Sequence, residues 1–328
     1  MSTLIRSASL TNFAEIAKQF NLDSQTLLRQ AGIPLKSLNE PDLKVETNAV
    51  VWLLEQASQL AKEPAFGLKM GESRRLSNLG PLGMLLRDEP TLGDVLNAIV
   101  RHIRMHNEAL IVAMDEVDDT VVIKVDLAVD LTAPIIQSVE LAMAVTYRTI
   151  SFFLGSNWRP RMVCFSHAAP ASRKMHKRIF GETIAFNQEF NGLICNLSDL
   201  SQPNPSADPV MARYAREFFQ SQSVSVPTFT SSIQQLIVLL LPLGQCSAEL
   251  IAQHLRCDRR TITRRLAAEN TGFHQLVTEH RRRIVRQLMQ DKSRPLAQVS
   301  ALLGFASPAS FSRWYKSQFR SLARNASC

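Results

Sequence analysis

The spacing of hydrophobic residues predicts that the chain opens with helices. Apolar residues recur at three- and four-residue intervals within 9–31, which indicates two helices, and within 47–62, which indicates a longer third one. A further helical pattern begins at Thr91 and continues to about Asn107. Each of these helices therefore has one apolar face to bury against a core.

Strand patterns follow. Residues 109–114 and 120–127 are rich in β-branched and apolar side chains and flank an acidic turn, which predicts a β-hairpin. Further helices are expected at 134–154, near 173–180 and at 209–220, and short strands at 161–165 and 192–197. This order of elements predicts an α+β domain over residues 1–220. A polar stretch with one proline predicts an interdomain linker over 221–232.

From Cys246 onward, one short pattern occurs twice. In the first copy, a short helix over 247–255 leads into a tight turn, and Asp258 can cap a second helix by accepting a backbone N–H. That helix carries Ile262 and Leu266 four residues apart as its buried stripe. At about 100° per residue, the side chains on the opposite, solvent side are those of Arg260, Thr263, Arg264 and Ala267, with Arg259 and Arg265 flanking the stripe.

The second copy repeats these features. Its supporting helix carries Leu296, Val299, Leu302 and Leu303, and Gly304 is expected to be the left-handed residue that ends it. Ser307 is a cap, Pro308 occupies the first helical position, and Phe311 and Tyr315 form the buried stripe. The residues expected to face outward are Ala309, Ser312, Arg313 and Lys316. Two copies in register predict a pair of helix-turn-helix motifs in an all-α domain over 233–328, rather than ordinary helical hairpins.

The charge of the chain is concentrated in this domain. Residues 228–328 hold fifteen Lys and Arg against five Asp and Glu, a net charge of +10. The preceding residues hold 22 against 24, a net charge of −2. A polyanion-binding surface is therefore expected on the residues that carry the two motifs.

These motifs resemble the signature of AraC/XylS-type transcription regulators. The similarity covers about a hundred residues and rests on Asp258–Leu266, on Arg281 with Val285 and Leu288, and on Gly304–Arg313. It implies that each second helix enters a major groove of double-stranded DNA, with the two grooves about one helical turn apart. It also implies that a linking helix, about Phe273 to Gln290, sets the separation, and that RNA polymerase is a partner.

The same resemblance assigns residues to bases, and the exposed basic residues around them are expected to contact phosphates. The base-contacting residues would be Arg260, Thr263 and Arg264 in the first motif and Pro308, Ala309, Ser312 and Arg313 in the second. Phosphate contacts are expected from Arg259, Arg265, Arg281 and Lys316. Because Pro308 and Ala309 cannot hydrogen-bond base edges, the second motif should contribute more phosphate and apolar contact than direct base readout.

The N-terminal half resembles the "arabinose-binding-like" effector domain of AraC relatives typified by ornithine-utilisation regulators. The matching stretches are Glu63–Lys69, Gly80–Gly83, Pro90–Gly93 and Phe165–Pro170. This domain type is not a sugar-binding cupin, so its name predicts no sugar. The resemblance implies control by a small-molecule effector, and the near-neutral charge of the domain favours an uncharged or weakly charged one. Two further expectations stay open: a homodimer, and a regulator without effector whose N-terminal domain serves dimerisation or a protein partner.

The sequence offers no motif for catalysis, cofactor binding or metal binding. The sequence contains no phosphate-binding loop, nucleophile elbow or catalytic constellation, so neither a cofactor nor an enzymatic activity is predicted. The cysteines include no C-x-x-C pair, and His102 and His106 are interpreted as helix-surface residues rather than metal ligands. Neither a signal peptide nor a membrane-spanning run is evident. The expectation is a cytoplasmic protein that does not contact a membrane.

Overall fold

The chain divides into two compact units, Met1–Pro227 and Thr228–Cys328. The computed structural model describes residues 3–129, 134–221, 229–242, 244–255, 257–289 and 295–324. The first unit combines helices and strands and the second is helical, so the expected fold class is confirmed. Within the described ranges, no helix combines the length and apolar character needed to cross a lipid bilayer.

The first unit contains nine of the labelled helices and all of the labelled strands. The helices are α1 (Phe13–Gln19), α2 (Ser24–Gln30), α3 (Thr47–Ala61), α4 (Phe66–Glu72), α5 (Pro81–Arg87), α6 (Leu92–His102), α7 (Ile136–Leu154), α8 (Lys174–Phe180) and α9 (Pro209–Ser221), in the part of the chain described. The strands described are β1 (Leu4–Arg6), β2 (Lys44–Glu46), β3 (Leu110–Val117), β4 (Thr120–Leu127), β5 (Met162–Cys164), β6 (Ile184–Ala185) and β7 (Gly192–Asn196). Five of these elements were not predicted because they are too short to show a clear hydrophobic periodicity: α4, α5, β1, β2 and β6.

The strands form two sheets. β1 and β2 pair antiparallel, and the larger sheet has the order β3-β4-β7-β5-β6, in which only the β5–β6 pair is parallel. The predicted hairpin is confirmed, with Leu110 opposite Leu127 and Val117 opposite Thr120. One core lies between this sheet and helices α5, α6 and α7, and a second core joins α1 to α4. Leu141 of α7 packs in the second core, so α7 borders both.

Helix α4 packs closely against α7 because glycine occupies two contact positions. A Cβ on Gly67 would overlap the Gln137 carbonyl oxygen, and one on Gly71 would overlap the Ala144 side chain. Gln137 also fixes the pair by hydrogen bonds, since its Oε1 accepts from the Gly67 N–H at 2.8 Å and its Nε2 donates to the Pro64 carbonyl at 3.0 Å. The α4–α7 contact therefore holds the smaller helical core against the rest of the unit.

The second unit consists of helices around two small cores. They are α10 (Phe229–Leu240), α11 (Ala248–His254), α12 (Arg259–Ala268), α13 (Phe273–Leu288), α14 (Leu296–Leu302) and α15 (Pro308–Arg324). Leu276 and Val277 of α13 pack in the first core with α10, α11 and α12. Val285 and Leu288 of the same helix pack in the second core with α14 and α15. α13 is thus the expected linking helix.

The linker expected over 221–232 needs a correction at its end. Residues 229–232 already belong to α10, whose first turn is capped by the Glu269 carboxylate: it accepts hydrogen bonds from the Phe229 and Thr230 N–H groups, both at 3.1 Å. The expected linker residues 222–228 lie outside the described residues. A cap supplied by a residue forty positions away could not be recognised from local sequence.

Candidate nucleic-acid interface

The first motif is formed by α11, a turn and α12. Ser247 caps α11 by accepting the Leu250 N–H at 3.1 Å, and Asp258 caps α12 by accepting the Thr261 N–H at 2.6 Å. Hydrogen bonds from Thr261 lower the pKa of Asp258, which keeps its carboxylate charged at the N-terminus of α12. Ile262 and Leu266 are 1% and 0% exposed, so the predicted buried stripe is confirmed.

The opposite face of α12 is exposed and basic. Arg260, Thr263 and Arg264 all lie on the solvent side, where the sequence places them. The flanking residues have neighbours of their own: Arg259 forms an ion pair with Glu249 at 2.8 Å, and the Arg265 guanidinium lies 5.0 Å from the centre of the Phe229 ring. These contacts restrain the two flanking arginines. Arg260, Thr263 and Arg264 form an exposed row between them that projects into solvent.

The second motif is formed by α14, a turn and α15. Gly304 has a φ of +64°, so the predicted left-handed residue is confirmed. The Ser307 hydroxyl accepts the Ser310 N–H at 3.2 Å, which caps α15 one residue before Pro308. Phe311 is buried and Tyr315 is partly buried, as expected of the inner stripe.

Two positions of this motif differ from expectation. Leu296 is 51% exposed, so it does not belong to the buried stripe, which consists of Val299 and Leu302 of α14 and of Leu303 directly after it. Ser312 was expected to face outward and is instead half-buried. The exposed members of the predicted set on α15 are Pro308, Ala309, Arg313 and Lys316.

The arginine run on α13 is mostly occupied within the protein. The Nε of Arg281 donates to the Leu303 carbonyl at 2.8 Å and its Nη2 to the Gly304 carbonyl at 3.1 Å, and burial lowers the pKa of this guanidinium. Arg283 is buried and contacts the His280 ring, whereas Arg282 is exposed. The side chain of Arg281 thus already holds two carbonyl oxygens, which favours a role in positioning the second motif over the phosphate contact expected from the sequence.

The aromatic support of α15 was not predicted as a group. Phe305, in the turn, packs against Phe311 and Trp314 at ring separations of 5.7 and 5.2 Å. The guanidinium of Arg281 stacks over the same Phe305 ring, 4.2 Å from its centre. The conformation of the second turn thus depends on residues from α13 and from α15. The only local signal for it in the sequence is the aromatic spacing after Gly304.

The arrangement suits recognition of a duplex. An α-helix fits the major groove, where an arginine can donate two hydrogen bonds to guanine and an apolar side chain can contact the thymine methyl. α12 offers Arg260, Thr263 and Arg264 to such a groove, and α15 offers Arg313 with the small apolar residues Pro308 and Ala309. Among the described residues, no three or more His, Cys, Asp or Glu side chains form a group that could hold a metal ion.

Each of the two units matches a family of known domains. Residues 22–204 match the arabinose-binding domain of AraC transcription regulators, and residues 251–325 match a helix-turn-helix domain. The HTH-type transcriptional regulator VirS of Mycobacterium tuberculosis is 30% identical across 95% of this chain and 93% of its own length. The ornithine utilization regulator of Pseudomonas aeruginosa is 22% identical across 92% of this chain and 90% of its own length. The crystal structure of the transcriptional regulator CdpR from Pseudomonas aeruginosa aligns over 90% of this chain and 93% of its own, with 19% identity and a TM-score of 0.45.

Proposed function

Because the chain belongs to the AraC family of transcription regulators, we propose that its DNA-binding unit inserts α12 and α15 into successive major grooves of duplex DNA. Arg260, Thr263 and Arg264 then read bases from α12, and Pro308, Ala309, Ser312 and Arg313 meet the second groove from α15. Arg259, Arg265 and Lys316 contact phosphates, and Arg281 positions the second motif. The observation that carries this proposal is the exposed row on α12, opposite the buried Ile262 and Leu266.

Salt dependence and domain dissection test the assignment. A fragment of residues 228–328, which carries the net charge of +10 and both motifs, should bind duplex DNA, whereas residues 1–220 should not. The logarithm of its affinity should fall by about 0.9 per logarithmic unit of salt for each phosphate neutralised. A salt-insensitive complex, or DNA binding by residues 1–220, contradicts the proposal.

The first unit is proposed to control DNA binding through a small-molecule effector. Its match to the arabinose-binding domain of AraC regulators supports this role, without naming the ligand. By linkage, an effector that changes operator affinity must have its own affinity changed by the operator by the same factor. RNA polymerase as a partner, and the cytoplasm as the site of action, are proposed on family membership alone.

A homodimer is proposed on the outer face of α9. Val210, Tyr214 and Phe218 follow one another at four-residue intervals on this helix and are more than half exposed. A helix stripe of this kind can pack against the same stripe of a second copy, since a two-fold interface is self-complementary. Tyr214→Arg should convert the dimer to a monomer in sedimentation experiments, whereas Leu60→Arg, at a similarly exposed leucine on α3, should not. A dimer that survives Tyr214→Arg contradicts this interface.

A further inference from the structure

A cavity of about 90 Å³ lies inside the first unit, among α3, α6, α7, the β3–β4 hairpin and the N-terminal strand. Aliphatic side chains such as Val50, Leu54, Leu141 and Val145 form most of its wall. Among the described residues that line it, none is Asp or Glu. The cavity therefore offers an apolar space without a negative charge.

Three hydroxyl groups in the wall have no hydrogen-bond partner among the described residues. They are the Oγ of Ser9, the Oγ1 of Thr47 and the Oγ of Ser138, and all three oxygen atoms are buried. Folded proteins rarely leave buried polar groups unpaired. Each of these three hydroxyls can therefore donate to a polar atom held in the cavity.

The same wall contains a buried positive charge. Arg74 is 4% exposed and donates to the carbonyl oxygens of Met70 at 3.2 Å and Ser9 at 2.5 Å, and to that of Ala8. A guanidinium has five N–H donors, so two remain after these three bonds. Within the described ranges no carboxylate forms an ion pair with Arg74, and burial lowers its pKa to about 10, which leaves it charged at neutral pH. A buried charge is stable only when it is paired and hydrogen-bonded, so this site favours an anion.

His106 adds a neutral donor to the wall. Arg6 lies 3.3 Å from its Nδ1, and since arginine can only donate, Nδ1 accepts and the ring proton is on Nε2. Burial, with the nearby charges of Arg6, Arg74 and Lys44, lowers the pKa of His106 to about 3, so the ring is uncharged. The amide oxygens of Asn78 and Asn107, which also line the cavity, already accept from the Arg75 and Ala109 N–H groups. The donors of Arg74 and His106 and the three hydroxyls therefore suit an acceptor ligand.

We infer that this cavity binds a small aliphatic monocarboxylate, with the carboxylate on Arg74 and the hydrocarbon part against the apolar wall. This deepens the effector control proposed above and rests on it. An apolar cavity of about 150 Å³ takes up benzene, so the space here fits a hydrocarbon body of about four carbons. An amino acid fits poorly, because its ammonium group would find no carboxylate among the described lining residues.

Thermal unfolding of the full chain tests the ligand class. Butyrate and isovalerate should raise the unfolding midpoint, because a ligand that binds only the folded state stabilises it. Butyramide and butanol remove the charge but keep the skeleton, and 2-aminobutyrate adds an ammonium group, so none of these three should shift the midpoint at the same concentration. Equal shifts by the neutral compounds, or no shift by either carboxylate, overturn the inference.

Two variants test the position of the site without removing Arg74, whose backbone contacts support the fold. Thr47→Val and Ser138→Ala delete hydroxyls that bond to nothing in the described structure, so the free protein should stay folded. Each should weaken carboxylate binding by about tenfold, the value of one hydrogen bond to a charged group. Ser37→Ala is the matched control, since Ser37 is a buried hydroxyl without a partner among the described residues and does not line the cavity. Unchanged affinity in both cavity variants overturns the site.

Binding to a duplex selected from a randomised library separates this inference from the function it rests on. If a carboxylate binds with the expected pattern but leaves duplex affinity unchanged, effector control fails and the site stands. If duplex affinity responds to a carboxylate equally in wild type, Thr47→Val and Ser138→Ala, control stands and the site fails.

Discussion

The guanidinium of Arg281 donates a hydrogen bond to the Gly304 carbonyl at 3.1 Å, across the joint between α13 and the second motif. The carbonyls at the C-terminal end of a helix lack partners within it. Arg281 bonds to the carbonyls of Leu303 and Gly304, the two residues that follow α14. It also stacks on Phe305 at 4.2 Å. Because α13 packs in both cores of the unit, this contact sets the orientation of α15 relative to α12.

Arg281→Ala should therefore weaken binding to all duplexes alike and lower the unfolding midpoint. The loss should be about 1–3 kcal/mol, the cost of leaving buried hydrogen-bonding groups unsatisfied. The salt slope should stay unchanged, since the side chain supports the fold, whereas loss of a phosphate contact would reduce the slope by about one. Arg282→Ala, at the exposed neighbouring position, is the control for stability. A reduced slope with an unchanged midpoint would restore the phosphate role.

Gly304→Ala should destabilise the same joint from its other side. The φ of +64° is unfavourable for a residue with a Cβ, and that atom would lie 2.9 Å from the Leu241 carbonyl oxygen. The backbone conformation alone should cost about 1–2 kcal/mol. Urea unfolding of the full chain measures the effect, with Gly272→Ala as the control because a Cβ there meets no atom within 4 Å. Equal stabilities of the two variants would contradict the role of this turn.

Arg264→Ala should change which sequence is bound. Arg264 is exposed on the side of α12 opposite the buried stripe, so its removal should cost about 1–3 kcal/mol and relax the preference at one base position. Arg265→Ala, which removes a guanidinium that lies over Phe229, should weaken all sequences alike. Selection from a randomised-site library distinguishes the two. A uniform loss in both variants would show that α12 is oriented differently in the groove.

The features of the two motifs that the sequence predicts correctly are local. Asp258, Ile262 and Leu266 lie within eight positions of one another, and helical geometry alone decides which way each side chain points. Gly304 is likewise recognisable from its place after an apolar helix. Local periodicity therefore locates both recognition helices and their exposed faces.

The features that the sequence did not predict depend on contacts between residues far apart in the chain, and local patterns do not reveal such contacts. Arg74 bonds to Ser9, which is 65 positions away, and Arg281 bonds to Gly304, 23 positions away. Without knowledge of such partners, a charged side chain is expected to be solvent-exposed. The burial of Arg74, Arg281 and Arg283 was therefore not expected. The expectation of an uncharged or weakly charged effector rests on the net charge of the domain. Net charge does not show where one cation is buried, so the monocarboxylate inferred from the cavity differs from that expectation.

Glu55 connects α3 to the start of α7. Its carboxylate is buried, with the residue 6% exposed, and accepts the Gln137 N–H at 2.7 Å. Burial raises the pKa of Glu55 from 4.5 to about 7, repulsion from Glu140 adds to the rise, and the hydrogen bond from Gln137 opposes it. The folded state therefore holds a proton at pH values where an unfolded chain has released it.

Glu55→Gln should remove the pH dependence that this proton creates. Between the unfolded pKa of 4.5 and the folded value of about 7, the folded state binds more protons, so its stability falls as the pH rises through that window. One pKa unit corresponds to about 1.4 kcal/mol, so the full effect is on the order of 3 kcal/mol. The glutamine keeps an oxygen that accepts from Gln137 and has no charge to bury.

The variant should be more stable than the wild type at pH 8, by an amount that shrinks toward zero as the pH approaches 4.5. Urea unfolding across this range measures the difference, and Glu15→Gln, at an exposed position on α1, should show no such trend. A difference that is constant with pH would mean that Glu55 does not titrate in this window.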